Sequence, residues 1–263
     1  MGLPDVTFLH KLADAADKET LDRFRGAEDL QVNSKPKEGF RFDPVTLADR
    51  EAEKAMRALI EQRYPNHAIM GEEYDTKPGA DENAFRWVLD PVDGTRPFLC
   101  GLPVWGTLIG LLQHERAVMG MMSQPFTGER FYTDSAQSWA KGLYGTVPLQ
   151  TRRAISLDQA ILHTTSPESV KQSSLNFSAL DKATLMTRYG GECYAMAMLA
   201  AGKIDICVEF ALQPYDIVAL IPLIEQAGGV VTTPDGGRAE AGGAVIASGC
   251  PRLHQQILSI LNS

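Results

Sequence analysis

Three short segments of this 263-residue sequence place acidic side chains where an apolar run meets turn-forming residues. Their carboxylates belong to Glu72 and Glu73, to Asp90 and Asp93, and to Asp216. Each segment alone has an ordinary structural explanation, since Asp-Gly is a common turn, adjacent glutamates are usually solvated and a lone aspartate often caps a helix. The combination is rarer, and Mg²⁺ prefers carboxylate oxygens while it shares the oxygens of a substrate phosphate. The set therefore predicts a metal site that binds a phosphate.

The middle segment, Asp-Pro-Val-Asp-Gly-Thr, has the composition that a phosphate-binding turn requires. A rigid turn after an apolar strand lets the carboxylates of Asp90 and Asp93 converge, and the carbonyl of Val92 between them can add a neutral oxygen. Gly94 permits a close approach of the backbone to a ligand. If a helix begins at Thr95, its free N–H groups would point towards an anion. Carboxylates repel phosphate, so this arrangement makes sense only with bound cations.

With these residues the sequence resembles the inositol monophosphatase superfamily, a group of Mg²⁺-dependent, lithium-sensitive phosphatases. The resemblance extends over nearly the whole chain and is carried by residues 44–49, 71–73, 90–95, 215–216 and 225–229. One departure is Tyr215, where the superfamily usually has tryptophan. The resemblance implies two or three Mg²⁺ ions per active site, with the metal ligands Glu72, Asp90, Asp93, Asp216 and the carbonyl oxygen of Val92. It also implies that Asp49 and Thr95 form a hydrogen-bonded pair which, with Glu72, orients the attacking water.

A closer resemblance is to the histidinol-phosphate phosphatases of the inositol-monophosphatase type. It is carried by residues 93–98, 105–112, 124–131, 164–167, 188–195 and 214–216. Glu192 departs from that group, which usually has aspartate at this position. This resemblance implies hydrolysis of L-histidinol phosphate to histidinol and phosphate, a step of histidine biosynthesis, by attack of a metal-activated water. No activated nucleophilic side chain is apparent in the sequence, so no covalent phosphoenzyme is expected.

Two further glutamates, Glu192 and Glu209, could distinguish this substrate from an inositol phosphate. Histidinol phosphate carries a cationic amine and an imidazole, whereas an inositol phosphate offers only hydroxyl groups. Carboxylates beside the leaving group would pair with the cation and accept a hydrogen bond from the imidazole N–H. Alternatively, Glu192 only favours the start of a helix, and Glu209 is a surface group at a strand end. The expected substrate contacts are Asp93, Gly94, Thr95, Glu192, Glu209 and Asp216.

These residues leave three functional hypotheses. The first is an Mg²⁺-dependent phosphate monoester hydrolase acting on L-histidinol phosphate. The second is an inositol-1-monophosphatase or a broader sugar-phosphate phosphatase; inositol phosphatases can carry glutamate at the position of Glu209, so Glu192 discriminates better. The third is a non-catalytic protein that binds a phosphorylated ligand or a partner, which the complete set of ligand residues argues against. The role of Arg96, which could contact phosphate or lie at a dimer interface, stays open.

The composition limits the partners and the compartment. The chain has 25 Lys and Arg against 33 Asp and Glu, a formal net charge of −8, which disfavours nucleic acid and anionic membrane surfaces as partners. No apolar run approaches the roughly 18 residues that would cross a bilayer, and no signal-peptide core is expected. The four cysteines are scattered, which is typical of reduced thiols in a cytoplasmic protein. The expected partner is a small phosphate monoester, and the family resemblance implies a homodimer.

The spacing of apolar residues predicts the elements that must position these groups. Helices are predicted at residues 6–24, 46–64, 193–201, 215–227 and 251–261. Thr46 and Asp49 are expected to cap the start of the second helix. Strands are predicted at 68–70, 87–89, 107–112, 118–122, 130–133, 155–166, 184–189, 204–209, 230–232 and 244–247, with a loop or a strand pair at 31–44. The mixture indicates an α/β (α+β) protein, and the resemblance implies a layered α-β-α-β-α sandwich. One catalytic unit is expected over residues 1–263, with sub-lobes at about 1–148, carrying the metal and phosphate motifs, and 149–263, carrying the substrate side and the last metal ligand.

Overall fold

The computed structural model of the chain describes residues 2–26, 30–35, 43–80, 85–153 and 156–263. Its first elements are α1 (Val6–Leu21), β1 (Asn33–Lys35), β2 (Asp43–Val45) and α2 (Leu47–Arg63). α1 stops before the predicted residue 24, because the chain turns after Asp22 and Arg25 has a left-handed backbone conformation. β1 and β2 pair antiparallel, which confirms a strand pair at the ends of segment 31–44; residues 36–42 lie outside the described residues. α2 begins at a capping box formed by Thr46 and Asp49, as predicted.

A seven-stranded sheet follows, and its strands lie in chain order. Its elements are β3 (Ala68–Gly71), β4 (Arg86–Asp93), the short helix α3 (Thr95–Leu99), β5 (Gly106–Gln113), β6 (Arg116–Gln124), β7 (Glu129–Thr133), β8 (Ser138–Gly142) and β9 (Gly145–Pro148). β3 is parallel to β4, and every later pair is antiparallel. The sequence did not predict β8 and β9, because both are short and contain the glycine or proline that usually ends a strand. They form a hairpin at the edge of the sheet.

The second half of the chain builds a five-stranded sheet in the order β11-β10-β12-β14-β13. Its strands are β10 (Ile161–Thr164), β11 (Met186–Tyr189), β12 (Ile206–Leu212), β13 (Val230–Thr232) and β14 (Gly243–Ser248). The accompanying helices are α4 (Pro167–Gln172), α5 (Phe177–Ala183), α6 (Glu192–Ala200), α7 (Pro214–Ile217), α8 (Leu220–Gln226) and α9 (Pro251–Leu261). α4 and α5 are too short to give a helical period in the sequence, and they were not predicted.

Two of the predicted elements are wrong in part. The predicted strand 155–166 begins instead with a 3₁₀ turn, Leu157–Gln159, because polar residues interrupt its apolar alternation; residue 155 lies outside the described residues. The predicted helix 215–227 is divided into α7 and α8. Its backbone stays helical at Val218 and Ala219, but Pro222 has no N–H to donate to the carbonyl of Val218, so the hydrogen-bond pattern breaks.

Three hydrophobic clusters define the layers of the molecule. α1 and α2 cover one face of the seven-stranded sheet. α6 and α8 lie between the two sheets, and α5 and α9 cover the outer face of the five-stranded sheet. The prediction of an α/β protein with a layered α-β-α-β-α sandwich is therefore confirmed.

The middle cluster packs residues of both sheets together, for example Leu108 and Met122 of the first sheet with Val245 and Ala247 of the second. A boundary between residues 148 and 149 would separate the two sheets, but the division into sub-lobes 1–148 and 149–263 stays a prediction. All four cysteines are free, as expected for reduced thiols. Within the described residues, none of the helices has the length and apolar character that a membrane crossing needs.

Candidate active site

The carboxylates predicted to bind metal meet where β4 ends and α3 begins. The ladder between β4 and β5 is irregular from Asp90 to Asp93, which bends the chain at the Asp-Pro-Val-Asp segment. Gly94 follows with φ +88°, a conformation that favours glycine, and a Cβ there would lie 3.0 Å from Cγ of Glu192. The turn therefore presents both aspartates to a cleft, and Thr95 is the first residue of α3.

Asp90, Asp93 and Asp216 form an acidic cluster in which one ligand oxygen from each residue lies within 4.8 Å of the others. Asp90 is buried, and the other two are half-buried. Burial, with the nearby carboxylates of Glu72, Asp93 and Asp216, raises the pKa of Asp90 well above its usual range. Such repulsion is relieved when a divalent cation is shared, and an all-oxygen donor set suits Mg²⁺ better than zinc. The residues present fit a hard divalent metal ion.

One carboxylate oxygen of each of these aspartates is held by a backbone N–H. The N–H of Val92 donates to Asp90 Oδ1 at 3.0 Å, that of Cys193 to Asp93 Oδ2 at 2.7 Å, and that of Gln213 to Asp216 Oδ2 at 2.7 Å. These bonds orient the carboxylates without adding a positive side chain.

Asp49 lies behind the cleft, at the start of α2, and contacts it through Thr95. Its Oδ2 accepts bonds from the N–H and the hydroxyl of Thr46, at 2.9 and 2.5 Å, and its Oδ1 lies 3.3 Å from Oγ1 of Thr95. The same threonine hydroxyl lies 3.2 Å from the carbonyl oxygen of Val92. Burial raises the pKa of Asp49 to about 6, although the hydrogen bonds from Thr46 oppose this shift. The Asp49–Thr95 contact implied by the family resemblance is present.

Glu72 is presented by a loop whose anchor the sequence analysis missed. Glu53 is fully buried on α2, and its carboxylate accepts a bond from the N–H of Glu73 at 2.7 Å and from Arg57 at 2.7 Å. A Cβ at Gly71 would overlap the Glu53 carboxylate. Glycine is therefore required where β3 ends, and Glu53 sets the course of the chain on either side of Glu72. No local pattern in the sequence indicates this contact, since the residues are about 20 positions apart.

Glu192 and Glu209 line the same cleft. The carboxylate of Glu209 accepts bonds from the N–H and the hydroxyl of Thr165, both at 3.1 Å, so it is a fixed group and not a solvated strand end. Glu192 is the first residue of α6 and has φ +46°, which is unusual for a side chain other than glycine. Burial and the charge of Glu209 raise the pKa of Glu192 to about 7, while Arg96 opposes the shift.

Neighbouring charge also affects Asp93 and Cys193, which meet at the start of α6. Burial and the carboxylate of Glu192 raise the pKa of Asp93 to about 7. Burial raises the pKa of the Cys193 thiol well above its ordinary value, so this thiol is not an activated nucleophile. The expectation that no covalent phosphoenzyme forms stays a prediction.

The predicted site residues, apart from Asp49, line one cleft of about 160 Å³. They are Glu72, Asp90, Val92, Asp93, Gly94, Thr95, Glu192, Glu209 and Asp216. Thr165, Ser166 and Ser169 line the same cleft and were not predicted as site residues. The available signal was that residues 164–167 contribute to the closer family resemblance; their residue types by themselves indicate only a Ser-Pro helix start. The catalytic and metal-binding roles of the individual residues stay predictions.

This chain is similar to known proteins in both sequence and structure. The chain matches the family model described as "Inositol monophosphatase family" over residues 4–263. It is 36% identical over 260 residues to the bifunctional phosphatase IMPL2, chloroplastic, of Arabidopsis thaliana, and the aligned region covers 95% of this chain and 72% of that protein. It is 33% identical over 268 residues to a histidinol-phosphatase of Streptomyces coelicolor, covering 99% and 97%. A solved structure of an inositol monophosphatase from Zymomonas mobilis superposes with a TM-score of 0.84 at 35% identity, covering 98% and 97%.

The fold and the acidic cleft thus define a phosphatase that acts on phosphate monoesters, of a metal-dependent class. The chain belongs to the inositol monophosphatase family.

Proposed function

We propose that this phosphatase is Mg²⁺-dependent and hydrolyses L-histidinol phosphate. The observation that carries the proposal is the pair Glu192 and Glu209, which line the cleft close enough together for the charge of Glu209 to raise the pKa of Glu192; we name their part of the cleft the leaving-group side. Two carboxylates there favour a leaving group with a positive charge and an N–H donor, and histidinol has both. The Streptomyces relative, a histidinol-phosphatase that matches this chain over nearly its full length, supports the same choice.

Glu72, Asp90, Asp93, Asp216 and the carbonyl of Val92 are the residues that would hold Mg²⁺. When bound, Mg²⁺ offsets the charge of the phosphate and lowers the pKa of water. The Thr95 hydroxyl can donate a hydrogen bond to Asp49 Oδ1, 3.3 Å away. The lone pairs of the Thr95 oxygen then remain to accept a hydrogen bond from a water molecule in the cleft. Glu72 lines the same cleft and would accept a second bond from that water. These groups orient the water for in-line attack on phosphorus.

On the leaving-group side, Glu209 stays in place because Thr165 donates two bonds to it. Glu192 has a pKa of about 7, so a neighbouring ammonium group favours its ionised form and gains a charge-assisted bond. An inositol leaving group has no cationic group and would form no charge-assisted bond with Glu192. The site therefore favours the cationic substrate.

The decisive measurement compares kcat/KM for L-histidinol phosphate with kcat/KM for myo-inositol 1-phosphate. We expect the first to be the larger, and Glu192→Ala to lower it by about tenfold or more, since a hydrogen bond to a charged group is worth about 1.5–3 kcal/mol. The matched control is Glu168→Ala, an exposed glutamate on α4. A wild-type preference for inositol 1-phosphate, or equal losses for both substrates in Glu192→Ala, contradicts the proposed substrate.

The second candidate is an inositol-1-monophosphatase or a broader sugar-phosphate phosphatase. It is favoured by the Zymomonas inositol monophosphatase, which matches this chain over nearly its full length. Its distinguishing result is a kcat/KM that is higher for inositol 1-phosphate or equal for many monoesters. A non-catalytic ligand-binding role predicts no phosphate release from any of them. A place in histidine biosynthesis, a cytoplasmic location, sensitivity to lithium and a homodimeric state belong to the proposal as well.

A further inference from the structure

His163 is a buried histidine beside the cleft that the proposed reaction does not use. It lies on β10, is 3% exposed, and precedes Thr165 by two residues. Its Nδ1 atom is buried and has no hydrogen-bond partner within the part of the chain that the structure describes. Buried polar atoms are rarely left without a partner in folded proteins, so this ring nitrogen calls for an explanation.

The unpartnered Nδ1 faces Glu209. It lies 3.6 Å from Glu209 Oε1, slightly beyond hydrogen-bond distance. That same oxygen accepts the hydroxyl of Thr165, while Oε2 accepts the Thr165 N–H. The imidazole therefore lies directly behind a carboxylate whose front faces the cleft, and a small movement of Glu209 would complete a bond to Nδ1–H.

The other side of the ring faces the start of α6. A Cβ at Gly191 would lie 2.6 Å from Nε2 of His163 and 3.0 Å from its Cε1, so only glycine fits at this position. The next residue is Glu192, whose φ of +46° is sparsely populated for residues other than glycine and asparagine. The imidazole thus fills the space between the segments that carry the two glutamates.

We propose that His163 is a positioning residue, which fixes Glu209 through Nδ1 and the Gly191–Glu192 turn through the opposite edge of its ring. The inference rests on the proposed function, because it assumes that both glutamates face the leaving group. His163 is not among the described residues that line the cleft. His163 sets the distance between the carboxylates of Glu192 and Glu209. That distance determines the shape and charge of the leaving group that the cleft accepts.

Two variants separate the hydrogen bond from the filling of space. His163→Leu fills much of the space but has no donor, whereas His163→Asn places an amide N–H near the position of Nδ1. We expect His163→Leu to raise KM for L-histidinol phosphate about tenfold with kcat changed less than about twofold, the size of one lost hydrogen bond to a charged group. Hydrolysis of glycerol 2-phosphate, which lacks a cation, should change by less than about twofold. His163→Asn should recover most of the lost affinity.

The matched control is His254→Leu, since His254 is 4% exposed and far along the chain on α9. It should lower the melting temperature and leave the ratio of kcat/KM for the two substrates unchanged. Equal losses for both substrates in His163→Leu, or no recovery in His163→Asn, would overturn the positioning role. If the wild-type protein does not hydrolyse L-histidinol phosphate, the proposed function fails, and the same variants are compared on inositol 1-phosphate against glycerol 2-phosphate.

A spectroscopic measurement tests the contact without any substrate. In protein labelled with ¹⁵N-histidine, the ring resonances absent from His163→Asn identify His163. We expect its Nδ1 to be the protonated nitrogen, because it faces a carboxylate. A protonated Nε2 with a bare Nδ1 contradicts the proposed contact, whatever the substrate proves to be.

Discussion

The aspartates of the cleft are oriented by backbone N–H groups, which leave the negative charge of the carboxylates available to a ligand. Asp90, Asp93 and Asp216 each use one oxygen to accept a main-chain N–H, which leaves the remaining oxygens for a cation. A lysine or arginine in the same place would fix the carboxylates equally well, but it would compete with the metal. The cost of burying like charges is visible in the raised pKa values of Asp90 and Asp93.

Replacing Asp93 by asparagine tests this arrangement. In Asp93→Asn the remaining carbonyl oxygen can still accept the N–H of Cys193, so the fold should be retained, but one metal ligand becomes an amide. We expect turnover to fall at least about a thousandfold, the equivalent of about 4 kcal/mol in the barrier. The melting temperature in Mg²⁺-free buffer should be equal or higher, because repulsion within the cluster is reduced.

The matched control for this experiment is Asp158→Asn, which changes an exposed aspartate in the 3₁₀ turn and should leave turnover unchanged. Full activity of Asp93→Asn would show that this carboxylate is not required. Full activity of the wild-type protein in excess EDTA would exclude the metal-dependent mechanism altogether.

At the scale of elements, the position of Asp216 depends on two glycines in the neighbouring sheet. Gly110 of β5 and Gly120 of β6 are paired in register, and both contact the junction between α7 and α8. A Cβ at Gly120 would overlap the carbonyl oxygen of Ala219, and one at Gly110 would lie 2.7 Å from Val218 Cγ1. The α7–α8 junction therefore packs directly on the main chain of Gly110 and Gly120, and this contact sets how closely Asp216 approaches the carboxylates of β4.

We accordingly expect Gly120→Ala to affect both stability and catalysis. The added methyl group must push the α7–α8 junction away from the sheet, at a cost of about 1–3 kcal/mol in the free energy of unfolding. Since Asp216 lies only three residues before Ala219, its carboxylate moves as well, and kcat should fall about tenfold. Urea denaturation and steady-state kinetics on the same sample measure the two effects.

Gly128→Ala is the comparison for this variant. Gly128 has a positive φ but open space around its Cα, so alanine there costs only the backbone strain. That variant should lose some stability and keep its kcat. If Gly120→Ala retains full activity, the position of Asp216 does not depend on this contact.

At the scale of the whole molecule, contacts far from the cleft tie the outer layer to the sheet. His254 of α9 is buried, with Nδ1 2.9 Å from Ser248 Oγ on β14 and Nε2 2.8 Å from Thr232 Oγ1 on β13. Burial lowers the pKa of this imidazole from 6.5 to about 4, so the folded protein favours its neutral form.

This shift predicts a pH dependence of stability. A histidine whose folded-state pKa is lowered stabilises the protein fully above its unfolded pKa of 6.5, and the contribution is lost as the pH falls towards about 4. We expect the free energy of unfolding to decrease by roughly 3 kcal/mol over this interval from His254 alone, since one pKa unit corresponds to about 1.4 kcal/mol. Denaturant titrations between pH 4 and pH 7 measure it.

Other groups titrate in the same pH range, so the contribution of His254 is the difference in the pH dependence of unfolding between the wild-type protein and a His254 variant. His254→Asn should reduce the pH dependence by the amount stated. An identical pH profile in the wild-type protein and His254→Asn would contradict a neutral buried imidazole.

The sequence by itself determined the fold class, the chemistry of the donor set and the local geometry of the Asp-Pro-Val-Asp-Gly-Thr turn. It also identified the capping box of Thr46 and Asp49. These features are accessible from sequence because they depend on residue type and on neighbours within a few positions, where covalent geometry limits the alternatives. The family resemblance added the Asp49–Thr95 contact, and the structure contains it.

Only the tertiary structure decided how distant segments meet. Glu53 beneath Gly71, Thr165 on Glu209, and the Gly110–Gly120 surface under the α7–α8 junction join residues at least 18 positions apart, and no spacing rule relates them. The break in the predicted helix 215–227 shows the same limit, since a proline was visible but the packing of the junction on the sheet was not. Such contacts arise from the simultaneous packing of several layers, so the residue types at either end do not specify their partner.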